Sequence, residues 1–84
     1  MKIKVLAFSK SGKSILANLS VEDEDGLVTF NVTGNMKINP DKFTKEVGDE
    51  WEIDVKPARV IIDKENVVSE DTGEIKTFTK LSWK

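Results

Sequence analysis

Apolar and polar residues alternate along most of this chain, and the alternating runs are separated by short clusters of Gly, Asn, Asp and Ser. A period of two is the signature of a half-buried β-strand. "KIKVLAF" sets Ile3, Val5 and Ala7 on one side, with Lys2 and Lys4 on the other. "SILANLSV" groups Ile15, Ala17, Leu19 and Val21, and "LVTFNVT" groups Val28, Phe30 and Val32. "WEIDVK" alternates Trp51, Ile53 and Val55 with Glu52, Asp54 and Lys56. "IKTFTKLSW" turns Ile75, Thr77, Thr79, Leu81 and Trp83 inward and leaves Lys76, Phe78 and Lys80 outside. The intervening "SKSG", "EDEDG", "VGDE", "DKEN" and "DTGE" carry residues that tolerate tight or left-handed backbone, so they read as turns.

One segment breaks the alternation. In "NPDKFTKEVG", Asn39 is placed to cap, Pro40 fits a first helical position, and Gly48 is placed to stop. Phe43 and Val47, four apart, would then face inward. The segment "WEIDVKPARVII" reads equally as two strands or as one long bent strand, which leaves the strand count open. The expected fold is all-β: a small five-stranded antiparallel barrel, with a short helix or turn between strands 3 and 4. With 84 residues the chain is one domain, 1–84, near the small end of what folds unaided.

The phrase "FTKEVGDEWEIDV" (43–55) offers a hydrophobic anchor, a Val-Gly-Asp turn and then alternation. With the strand plan, it resembles the entry to the fourth strand of oligonucleotide/oligosaccharide-binding folds, and small single-stranded-DNA-binding proteins of phage type in particular. That resemblance implies a ligand on the barrel's outer face and its loops, with lysines along the phosphates and aromatic rings under the bases. The residues that fit are Phe78 between Lys76 and Lys80 on the last strand, Phe8 on the first strand beside Lys2 and Lys4, and Lys10 and Lys13 in the first turn. The same Lys-Phe-Lys also fits a solvated face whose ring packs on a neighbouring loop, or a strand edge that its lysines charge against aggregation. Trp51 and Trp83 read as core or terminal plugs.

Charge bounds the chemistry. Thirteen basic and fifteen acidic residues leave a net charge of −2, and all but one of the basic residues are lysines. Phosphates would therefore meet point charges rather than arginine forks. There is no Cys and no His, which excludes thiolate zinc sites, disulfides and any triad that needs imidazole. No cofactor and no metal is expected. "EDEDG" lacks the spacing of a calcium loop and reads as a solvated hairpin tip. The apolar stretch near the N-terminus falls short of the about 7–15 residues of a secretory core or the ~20 of a membrane span. A cytoplasmic protein with no membrane partner is the expectation.

"AFSKSGKS" (7–14) and "RVIID" (59–63) look like the two halves of a nucleotide-hydrolysing site. A phosphate loop needs a helix to begin at its Lys-Ser, and here alternation resumes at Ile15 instead. The first half is therefore read as a turn between two antiparallel strands, "RVIID" sits in a chain without the strand–helix crossovers of a parallel sheet, and no enzymatic activity is expected. The leading functional reading is a nucleic-acid-binding module for single strands. The alternative is a protein-interaction module or enzyme inhibitor, acting through a strand edge or its acidic surfaces. Exposed edges in so small a sheet also leave room for a homodimer.

Overall fold

The computed structural model describes residues 1–83. They form β1 (Lys2–Phe8), β2 (Ser14–Glu22), β3 (Val28–Lys37), β4 (Glu50–Glu52), a 3₁₀ turn at Pro57–Arg59, β5 (Val60–Val68) and β6 (Ile75–Trp83). The strands make one mixed six-stranded sheet in the order β4-β1-β2-β3-β6-β5. The fold is all-β as expected, but the sheet is not closed into a five-stranded barrel, and it is not wholly antiparallel: β3 and β6 run parallel where they meet. No described helix is long and apolar enough to cross a membrane.

The extra strand has a local cause. In "WEIDVKPARVII" the first part pairs with β1, through Ile3↔Trp51, and the last part pairs with β6, through Ile62↔Leu81. Pro57 has no N–H to give a ladder and fixes its own φ, so the chain turns once as 3₁₀ and leaves as a separate strand. The two outer strands of the sheet are thus consecutive in the chain. The expected helix is a turn. The carbonyl of Asn39 accepts the amides of Lys42 (3.0 Å) and Phe43 (2.9 Å), and the chain then extends. Phe43 faces inward as its position predicts, whereas Val47 is exposed.

Alternation locates the core. Ile3, Val5, Ile15, Ala17, Leu19 and Leu81 are buried, with Phe30, Val32, Met36, Trp51 and Trp83 packed against them. Five of the six come from β1 and β2, and Leu81 is the one that β6 contributes. Val28 and Ile75, expected inside, are exposed because their strand ends outrun the sheet.

β6 touches β3 at a single bridging pair, Asn35↔Lys80, near its C-terminal end. The rest of the β5–β6 hairpin projects as a two-stranded ribbon, and its residues are exposed from Ile62 to Phe78 apart from Ser69. The radius of gyration is 14.2 Å, against about 12 Å for a compact chain of this length, and the long axis is 48 Å. A ribbon without a third strand is only marginally stable. Backbone amides of Lys64–Phe78 are accordingly expected to exchange with deuterium at least about tenfold faster than those of Ile15–Leu19. Equal protection of the two segments, read by peptide mass spectrometry, would show that the ribbon is covered.

Candidate nucleic-acid interface

Directly paired residues in a sheet point to the same side, so the register assigns every side chain to a face. The inner face runs Trp51, Ile3, Leu19, Val32 across four strands. The outer face carries Lys2 and Lys4 on β1, Ser14, Leu16, Asn18 and Ser20 on β2, and Asn31, Thr33, Asn35 and Lys37 on β3. Through Asn35↔Lys80 it continues onto β6 with Lys80, Ser82, Phe78 and Lys76.

Those stretches of four strands contain no carboxylate. The acids of this face lie at its margins: Glu22 at the far end of β2, Glu50 and Glu52 on β4, Asp63 and Glu65 on β5. Two marginal acids draw lysines toward them. Lys2 Nζ lies 3.7 Å from Glu50, and Lys80 is ion-paired with Glu65. Both pairs are half-exposed, so each is worth little to stability. Among the described residues, Lys4, Lys37 and Lys76 make no ion pair. At the centre the Asn18 amide donates to Asn31 Oδ1 (2.6 Å) and Thr33 Oγ1 (2.9 Å), which fixes a polar row across β2 and β3.

The residues expected at the site separate into four groups. Lys80 sits beside Asn35, and Lys37 stands one alternation further along β3 on the same face. Phe78 and Lys76 share that face but lie outboard on the ribbon, opposite Glu65 and Val67. Lys10 and Lys13 are exposed in the β1–β2 turn. The base of that turn is tied to β3 by Ile38 N–H donating to the Lys13 carbonyl (3.0 Å), which brings Lys13 next to Lys37.

Phe8 is on the other face. Leu6 is an extra residue in β1, a bulge between Val5↔Ala17 and Ala7↔Leu16, and it shifts the alternation by one. Phe8 consequently pairs with Ile15, and its ring meets Phe43 edge-on at 6.0 Å. Phe43 meets Trp51 in the same way at 6.1 Å, and Lys45 Nζ lies 5.2 Å from the Trp51 ring centre. Phe8 thus belongs to an aromatic row behind the sheet and does not share the face of Lys2 and Lys4.

"SKSGKS" is a hairpin turn. Ser9 N–H donates to the Ser14 carbonyl and Gly12 N–H to the Ser9 carbonyl, both at 3.0 Å, with Gly12 at φ 71° where a side chain would be strained. Ser14 opens a strand, so no helix N-terminus faces the turn. In "EDEDG", Asp23 Oδ1 accepts the amides of Asp25 and Leu27, each at 2.9 Å, as a hairpin tip requires.

Lys37, Asn18, Asn31, Thr33 and Asn35 are members of the outer face that the sequence reading did not single out. The signal was present in the "NVTGNMK" alternation, where Asn31, Thr33, Asn35 and Lys37 fall opposite Val32 and Met36. Comparison with protein-family models, with curated proteins and with solved structures finds no match to this chain.

Proposed function

We propose that this domain binds single-stranded nucleic acid across the outer face of β1, β2, β3 and β6, as a small cytoplasmic module of the oligonucleotide-binding type. The observation that carries the reading is the absence of carboxylate from the middle of that face. A chain with net charge −2 has its acids at the rim and a lysine- and amide-bearing surface between them. Strand order supports the architecture: with β4 and β5 consecutive in the chain and at opposite edges, the sheet has the connectivity of a ring cut at one point. Lys4, Lys37, Lys76 and Lys80 neutralise phosphates, the Asn and Thr side chains donate to the backbone, and Phe78 gives a ring for stacking.

The test is fluorescence anisotropy of a labelled mixed-sequence 12-mer. Four phosphate contacts give a slope of about −3 in log K against log salt, or roughly a 60-fold loss from 50 to 200 mM. Glu65→Gln frees Lys80 from its carboxylate and removes a repulsive charge, so affinity rises a few-fold while the slope stays at about −3. No binding at 50 mM salt would rule the proposal out.

A second reading rests on β5. Its outer edge has no neighbour in the sheet, and Ile62, Val67 and Val68 are exposed along it. Such an edge accepts an added strand from a protein partner or a second copy. In that case light scattering gives a dimer mass at micromolar concentration, and Ile62→Lys with Val68→Lys returns the monomer.

A further inference from the structure

Beyond Asn35↔Lys80 the C-terminal ends of β3 and β6 splay apart, and the gap is a cleft of about 560 Å³. That is within the about 300–1,000 Å³ of small-molecule sites. Met36, Leu81 and Trp83 give it an apolar wall, and Lys37 and Lys80 stand at its outer rim with Ser14 and Ser82. Asp63, paired across β5–β6 with Lys80, supplies the only carboxylate among the described residues that line it.

Here an aromatic side chain, two lysines and one carboxylate line a single depression. A flat aromatic group with N–H groups on its edge and an anion a sugar's width away satisfies all four at once. We infer that this cleft takes one nucleotide of the bound strand, its base against Trp83, its phosphate at Lys37 and Lys80, and an exocyclic amino group donating to Asp63. The inference rests on the single-strand reading and adds to it a fixed point along the strand and a choice of base. An ionised carboxylate only accepts hydrogen bonds, so it favours cytosine, whose amino group offers two donor hydrogens, over thymine, whose single N3–H lies between two carbonyl oxygens that the carboxylate repels.

Ser14 and Asp63 come from the two segments that together resemble a nucleotide-hydrolysing site, and both line this cleft. Their meeting here needs no helix and no hydrolysis. A strand residue and an edge residue flank a nucleotide that is held and not turned over.

The experiment compares oligo-dC and oligo-dT 12-mers at 50 mM salt, with the wild-type chain, Trp83→Leu, Trp83→Phe and Asp63→Asn. A stacked base contributes a factor of roughly 5 to 150, so Trp83→Leu is expected to lose about tenfold and Trp83→Phe to keep most of the affinity. Oligo-dC is expected to bind several-fold tighter than oligo-dT, with Asp63→Asn closing the gap. Should Trp83→Leu fold poorly, Trp51→Phe leaves Trp83 as the single indole, and its fluorescence is expected to be quenched on adding oligo-dC. Binding that is unchanged in Trp83→Leu, unquenched, or equal for the two oligomers overturns the cleft while leaving strand binding by the face intact. No binding of either oligomer overturns both.

Discussion

Gly34→Ala is expected to destabilise the domain by about 3 kcal/mol, the upper end of what overpacking costs. A Cβ built at Gly34 lies 2.8 Å from Leu81 Cγ and 2.8 Å from the Thr79 carbonyl oxygen. Leu81 Cγ is the branch point of a buried side chain, and the carbonyl belongs to the backbone of β6 and moves only if the strand does. Gly34 stands next to Asn35, the one residue of β3 that pairs with β6. Displacing β6 therefore strains the single bridge between the β1–β3 meander and the β5–β6 hairpin. For a domain of this size the loss lowers the melting temperature by roughly 15 °C. A thermal melt within a few degrees of wild type would mean that β6 does not cross β3 this closely.

Leu81→Ala is the second large effect, also about 3 kcal/mol, and it arises in the opposite way, from a cavity. Leu81 is 4% exposed and is the only buried side chain that the hairpin sends into the core. Without it, Trp83 and Val60 are the partly buried anchors that remain on that side. Denaturant melts should show the lower stability, and deuterium exchange should show loss of protection in β5 and β6 before β1 and β2. The two substitutions are coupled. Leu81→Ala removes one of the three atoms that crowd a Cβ at Gly34, so the double variant is expected to be more stable than the sum of the singles by about 1 kcal/mol. Strict additivity would place the whole cost of Gly34→Ala on Thr79.

Local alternation predicts most of the strands here, because a period of two is written residue by residue. It also identifies the buried Ile3, Val5, Ile15, Ala17, Leu19 and Leu81. Alternation misleads wherever a distant segment decides. The bulge at Leu6 falls where Val5 trades backbone bonds with Gly48 and Asp49, 43 and 44 positions away in the chain. Nothing near Leu6 announces it, and Phe8 changes face as a result. Val47 has the spacing of a helical inner position, but the chain makes one turn at Asn39 and then extends, so the spacing has no helix to act through. Ile75 alternates correctly and is exposed all the same, since no strand lies beside that part of β6 except β5.

The candidate face divides along the same line. That Asn31, Thr33, Asn35 and Lys37 share a side is legible within β3 alone. That they adjoin Lys80 depends on a parallel contact 45 positions apart in sequence, which no local pattern encodes. Pro57 is the intermediate case. It marks a break in "WEIDVKPARVII", and only the sheet order reveals that the halves go to opposite edges.

The far end of the β5–β6 ribbon is held by its own bonds, Ser69 N–H to the Glu74 carbonyl and Gly73 N–H to the Ser69 carbonyl, each at 2.8 Å. It lies outside the buried cluster, so foreign sequence spliced between Asp71 and Thr72 would load neither the core nor the bridge at Asn35. The same isolation makes this loop a natural handle, where an epitope, a dye or a surface tether is carried at arm's length from the lysines of β1 and β3.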